Sequence, residues 1–218
     1  MPASYGSENA SDLHDRGWTT GFFKTPVEGP VFVGTTNLEG DGQADLENHG
    51  GVDKAVLAYS ADHYDNWRHE LGMDMPHGAF GENLTIAGLN EGSVHIGDVF
   101  GIGEARFEVS QPRQPCWKLA RRWRMHELPG LVVQNGRSGW YLRVLKPGRI
   151  ARQMSVTLVE RPNPEWPIAR ANQILYHGRD DLALTRHLAD VPRLSDSWVE
   201  ELRARAESLA QRTSGGNG

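Results

Sequence analysis

Residues 107–123 read FEVSQPRQPCWKLARRW, and this stretch decides how the chain is interpreted. Phe107 to Ser110 continues a β-rich run that starts at Arg106, Pro112 and Pro115 then punctuate a loop, and Trp117 opens a helical pattern. At the hinge between loop and helix stands Cys116, the single cysteine of the chain. An isolated cysteine is ordinarily a small buried hydrophobe. This one is flanked by proline and surrounded by Arg113, Lys118, Arg121 and Arg122. Cations beside a thiol favour its thiolate, the form that attacks or binds metals.

The chain outside this stretch limits what such a thiol can do. There are 218 residues, enough for one large domain and a small appendage with a real core. One cysteine excludes an internal disulfide framework and any Cys-rich zinc or iron-sulfur site. The first residues show no charged n-region ahead of an apolar stretch, and no run approaches a membrane span, so a cytoplasmic protein without membrane contact is expected. With 23 Lys+Arg against 28 Asp+Glu the net charge is -5, which leaves no global footprint for nucleic acid. The basic residues from Arg113 to Arg124 form a local cluster instead. It suits either a small anionic ligand or a solvated face.

The spacing predicts a mainly β, α+β architecture. Residues 1–17 read as a polar tail. From 18 to 160, short strands at Thr19–Phe23, Pro30–Thr35, Lys54–Tyr59, Asn83–Ile86, Asp98–Ile102, Arg106–Ser110, Trp140–Leu145 and Met154–Val159 alternate with Gly- and Pro-rich turns, as in a barrel or sandwich. A helix is predicted over Ser60–Leu71, ending at Gly72, and one or two more over Trp117–Gln134, broken near Pro129-Gly130. Composition changes at Arg161-Pro-Asn-Pro-Glu-Trp-Pro. Three short helical patterns fill 161–212, the last behind a Ser197-x-x-Glu200 capping box, and 213–218 reads as a disordered end. A three-helix unit of that size must pack on the larger domain or on a second copy, so a homodimer through its apolar face is one expectation.

Several catalytic motifs fail on spacing. Gly101-Ile-Gly103 has Arg106 where a dinucleotide loop needs its third glycine, His126-Glu127 lacks the second zinc-binding histidine, and Gly136-Arg-Ser138-Gly139 is one residue short of a nucleophile elbow. His63 and His69 fall on different faces of a helix. What remains are glycine-flanked polar segments. His49-Gly50-Gly51 followed by Lys54 could let backbone amides and a cation approach a phosphate or carboxylate. In Gly81-Glu82-Asn83-Leu84-Thr85, strand alternation puts Asn83 and Thr85 on one face, where they could read one ligand edge. A turn entering a strand explains the same residues without a ligand.

Together, His49-Gly50-Gly51 with Lys54-Ala55-Val56, Gly81 to Thr85, Gly97-Asp98 and above all Gln111 to Leu119 resemble the MOSC domain, shared with the C-terminal part of molybdenum-cofactor sulfurases. The pattern is most similar to the bacterial YiiM-type members, and the helical tail resembles their three-helix extension. The resemblance implies a β-barrel core with peripheral helices and a molybdenum cofactor (Mo-molybdopterin) whose metal is ligated by Cys116. A soft thiolate suits such a centre. It also implies partners for the cofactor's phosphate among Arg113, Lys118 and Lys54, with backbone amides near Gly50 and Gly51, and places His49, Asn83 and Thr85 beside the cofactor. Gly139-Trp140-Tyr141 would form an aromatic wall. The activity implied is removal of oxygen from N-hydroxylated compounds such as hydroxylaminopurines and amidoximes, with electrons from a separate reductase, because the chain carries no flavin or nicotinamide signature. Glu82, His49 and Asp53 are candidate proton donors. Two rival readings use the same loop: a sulfur carrier with a Cys116 persulfide, and a non-catalytic molybdopterin-binding module.

Overall fold

The computed structural model describes residues 1–215, with the side chains of Leu13, Asn48, His49 and residues 213–215 outside the description. In chain order the elements are β1 (Ala3–Tyr5), β2 (Trp18–Thr20), β3 (Val31–Val33), α1 (Leu46–His49), β4 (Val56–Ser60), α2 (His63–Leu71), β5 (Leu84–Ile86), β6 (Val99–Ile102), β7 (Ala105–Pro112), α3 (Trp117–Trp123), α4 (Leu128–Asn135), β8 (Trp140–Lys146), β9 (Gly148–Ile150), β10 (Val156–Glu160), α5 (Ile168–Tyr176), α6 (Leu182–Ala189) and α7 (Asp196–Gly215).

The central sheet runs β10-β6-β7-β8-β4-β5 and curls into a half-barrel; only β4 and β5 pair in parallel. Two register shifts between β7 and β8, at Arg106/Phe107 and Val109/Gln111, mark irregularities of the kind that bend a sheet. Phe107 and Val109 of β7 and Trp140 and Leu142 of β8 turn inward. β4 is buried along its whole length, which is why its sequence, VLAYS, lacks strict alternation. β3 and β9 pair as a separate two-stranded piece.

One hydrophobic cluster runs from this sheet into the C-terminal helices, joining Phe107, Trp140 and Ile96 to Ile168, Leu188, Trp198 and Leu202. The three helices therefore share the core of the sheet rather than standing as a separate body. A second cluster, built on Tyr59, Tyr64, Trp67, Phe80, Leu119, Leu128 and Val132, holds α2, α3 and α4 against the sheet's other side.

The structure departs from the sequence expectations at three places. Within the stretch read as a polar tail, β1 pairs antiparallel with β2, and Trp18 packs on Trp117 at 5.4 Å between ring centroids. Tertiary contact supplies order that local composition does not signal. The helix pair after Cys116 breaks at Arg124, which takes a left-handed conformation (φ 49°), and not at Pro129, which sits in the first turn of α4 where its missing N–H costs nothing. The last helix reaches Gly215, into the end read as disordered; 216–218 lie outside the described residues.

Candidate functional site

β7 delivers the chain to the site and α3 carries it away. Cys116 occupies the residue before α3 in an extended conformation (φ -120°, ψ 167°), and its carbonyl accepts the Leu119 N–H at 3.1 Å. The thiol is unpaired and half-buried. It lines a small cavity of about 70 Å³ together with Lys54, Gly81, Asn83, Arg113, Lys118 and Tyr141.

Arg113 is the organising cation. It is 3 % exposed. Its backbone N–H donates to the Gly139 carbonyl at 3.0 Å and Nη2 donates to the Phe80 carbonyl at 3.3 Å. Its buried Nη1 makes no hydrogen bond among the described residues. Lys118 is 8 % exposed and, among the described residues, shows no hydrogen bond or ion pair. Burying a guanidinium nitrogen without an acceptor is costly, so this position calls for an acceptor, whether a water or an anionic oxygen. The phenol of Tyr141 belongs to the same environment: burial pushes its pKa up, the Arg113 charge pulls it back, and Cys116 pushes it up again.

Of the residues expected at the site, Lys54, Asn83, Arg113, Cys116 and Lys118 do converge on this cavity. Thr85 faces an adjoining, larger groove of about 1030 Å³ and donates to Glu82 at 2.9 Å. Gly50 and Gly51 do not line the cavity. A Cβ on Gly50 would stand 2.5 Å from the Leu46 carbonyl oxygen, and Gly51 has φ 92°, so the reversal after α1 accounts for both glycines. The side chain of His49 lies outside the described residues. Trp140 of the expected aromatic wall points into the core, leaving Tyr141 on the cavity side.

The basic cluster divides as well. Arg121 reaches the carbonyls of His14 and Arg16 and lies over the Trp18 ring, Arg122 donates to Phe22 and Gly78 carbonyls, and Arg124 pairs with Asp12 and Asp15. These three fasten the N-terminal segment; only Arg113 and Lys118 face the thiol's cavity.

Two of the candidate proton donors are otherwise occupied. Glu82, 2 % exposed, accepts from the Tyr64 hydroxyl, Gly78 N at 2.7 Å, Thr85 Oγ1 and Phe80 N at 3.1 Å. It ties the 78–85 loop together. Asp53 pairs with Arg143.

The opposite wall is formed by Thr20, Gly21, Phe22, Lys24 and residues 41–44; the strand expected over Thr19–Phe23 ends at Thr20, which leaves Gly21 and Phe22 as irregular chain against the cavity. Lys24 pairs with Asp41, Asn83 Nδ2 donates to Asp41 Oδ2 at 2.5 Å, and Asn83 Oδ1 accepts from Leu57 N at 3.0 Å. Asn83 thus links the sheet to this wall.

Among the described residues no group of three or more His, Cys, Asp or Glu side chains could hold a metal ion. No helix is long and apolar enough to cross a membrane among the described residues.

Comparison with known proteins accords with this geometry. Residues 45–157 match the MOSC domain model, and residues 166–209 match the YiiM-like, 3-alpha helix domain. The chain is 45% identical to YflK of Bacillus subtilis (strain 168), over 87% of this chain and 86% of that one. It is 34% identical to a protein of Gibberella moniliformis named Reductase, over 87% of this chain but 34% of that longer protein. The crystal structure of YiiM from Geobacillus stearothermophilus superposes with a TM-score of 0.77 at 39% identity, covering 93% of this chain and 96% of that one.

Proposed function

The chain belongs to the MOSC-domain family, in the form that carries the YiiM-like three-helix domain, and from that premise we propose that it is a molybdenum-cofactor-dependent reductase removing oxygen from N-hydroxylated compounds. The observation that carries the reading is a half-buried thiol sharing a cavity with a buried guanidinium whose Nη1 lacks an acceptor. The donor set fits the group: a soft thiolate for the metal, and Arg113 with Lys118 for phosphate oxygens. Bound there, the cofactor would supply the two-electron oxygen-removal chemistry that side chains lack.

The protein's own residues do the rest. Cys116 would hold the metal from the start of α3. Arg113, held by Gly139 and Phe80, would orient the anionic end. The balance of the reaction is R–NHOH plus two electrons and two protons giving R–NH2 and water, so protonated groups must stand at the cavity. Lys118 and Tyr141 line it, whereas Glu82 and Asp53 are engaged in structural bonds. The larger groove shares Lys24, Asp41 and Asn83 with the cavity and gives room for the body of a substrate. A cavity of about 70 Å³ is below the size of ordinary ligand pockets, so holding the cofactor would require the wall of Thr20, Gly21, Phe22, Lys24 and residues 41–44 to give way. Electrons come from a separate donor protein. A lone free thiol suits the reducing cytoplasm.

The test is chemical. Protein from a cofactor-making host, reduced by a chemical electron donor, is given a hydroxylaminopurine or an amidoxime and the amine is quantified. Wild type forms amine and Cys116→Ala falls to background with its fold intact; an active Cys116→Ala variant ends the proposal.

A further inference from the structure

The central sheet begins at β10 and ends at β5, and among the described residues these two edge strands do not pair. A barrel closes only when its first and last strands bond to each other, so this one stays open along a seam. Along it runs the larger groove of about 1030 Å³. Leu84 and Ile86 of β5 and Val156 of β10 line it, together with Ile102 of β6, Val31 of β3 and Ile150 of β9.

This lining is part of the main core. Ile86, Ile102 and Ile150 are buried members of the hydrophobic cluster of the sheet, and Leu84 and Val156 are half-buried residues packed against it. The groove is where that core opens to solvent. Contiguous apolar surface left open forgoes the free energy of burial and marks a place where something binds. The volume stands at the top of the range of small-molecule sites, roughly 300–1,000 Å³.

The groove is polar where it meets the thiol's cavity. Lys24, Asp41 and Asn83 line both spaces. Asp41 accepts from Asn83 Nδ2 at 2.5 Å and pairs with Lys24, so donors and a carboxylate stand at the junction. A molecule lying in the groove with one end towards Cys116 therefore meets leucine, isoleucine and valine along its body and charged groups at its head. A hydrophilic body would give up hydrogen bonds to water there and find none in return.

We propose that the groove is a substrate subsite for an apolar body, aromatic or alkyl, whose polar head passes Lys24, Asp41 and Asn83 towards Cys116. That the head is an N-hydroxyl group rests on the function proposed above; the apolar character of the body does not. The subsite sets an order among N-hydroxylated compounds, with alkyl-substituted benzamidoximes ahead of the more polar hydroxylaminopurines.

The test titrates full-length, cofactor-free protein by calorimetry with benzamidoximes carrying a para methyl, propyl or pentyl group, and with a hydroxylaminopurine as the polar comparison. Affinity rises about fourfold for each methylene that enters the groove, and the hydroxylaminopurine binds more weakly than the pentyl compound. Met154 lines the groove and is 43 % exposed, so Met154→Glu alters the lining with little effect on the fold. It lowers the affinity for the pentyl compound about tenfold and flattens the gradient, and Leu84→Gln does the same from β5; Met154→Glu alone decides should Leu84→Gln fail to fold. Three results would overturn the proposal: wild-type affinity indifferent to chain length, a hydroxylaminopurine bound as tightly as the pentyl compound, or an unchanged gradient in Met154→Glu. Because binding is read without molybdenum, a gradient in a protein that forms no amine once loaded counts against the proposed function alone. Amine formation without a gradient counts against the subsite alone.

Discussion

Replacing Glu82 distinguishes a structural carboxylate from a catalytic one. Oε1 accepts from Tyr64, Gly78 N and Thr85, and Oε2 from Phe80 N, all in a place only 2 % exposed. In Glu82→Gln the best amide orientation keeps the three bonds at Oε1 and turns an NH2 towards the Phe80 N–H. One bond to a charged acceptor is lost and two donors face each other, which costs roughly 2 kcal/mol. For a chain of this length that lowers the melting temperature by about 4–8 °C. Glu82→Ala strands all four donors and costs about 4 kcal/mol, roughly 8–16 °C. The assay pairs thermal unfolding with amine formation per folded molecule at a temperature well below both midpoints. The expected outcome is a graded loss of stability with turnover retained in Glu82→Gln. A Glu82→Gln protein with wild-type melting and no turnover would refute the reasoning and return Glu82 to the proton-donor role.

Two further predictions concern the same framework. Gly139 has φ 75° and a Cβ there would lie 2.5 Å from the Ala58 carbonyl oxygen, so Gly139→Ala costs at least about 2 kcal/mol in chemical denaturation and disturbs the carbonyl that holds the Arg113 N–H. For His95, burial and then the Arg161 charge hold the imidazole below its ordinary value of 6.5, with Asp98 opposing them. The folded state therefore binds this proton less readily than the unfolded chain, so stability is fully present above about pH 6.5 and falls as pH drops below it towards the folded value. His95→Gln should flatten that limb of a pH–stability curve; an unchanged slope would remove His95 as its source.

What the sequence revealed and what it hid follow from the range of the forces involved. The strands around Val99–Ile102, Ala105–Pro112 and Trp140–Lys146 were legible because alternation and turn residues are local, and the loop around Cys116 because proline and a single thiol are conspicuous. The wall over the cavity was not. Its residues, Thr20–Lys24 and 41–44, carry no period and are placed by tertiary bonds such as Lys24 to Asp41 and Asn83 to Asp41. The basic run from Arg113 to Arg124 misled for a related reason: helical rotation through α3 sends Arg121 and Arg122 towards the N-terminal segment, and only the packing shows that Lys118 alone of the helix's cations faces the thiol's cavity. Carboxylates were hardest to assign, since Glu82 reads identically in sequence whether it moves a proton or binds four donors.

The central claim is that Cys116 ligates the metal of a bound molybdenum cofactor. The most direct measurement is the molybdenum and released-pterin content of protein purified from a host that makes the cofactor, wild type beside Cys116→Ser, with a known molybdoenzyme from the same cells as the loading control. Near-stoichiometric molybdenum in the wild type, lost with the thiol while the cofactor-free forms of the two proteins unfold at the same midpoint, is the predicted result. Metal and pterin missing from both proteins with the control enzyme loaded, and sulfide released from the wild type by thiol treatment, would contradict the account and make Cys116 a persulfide carrier.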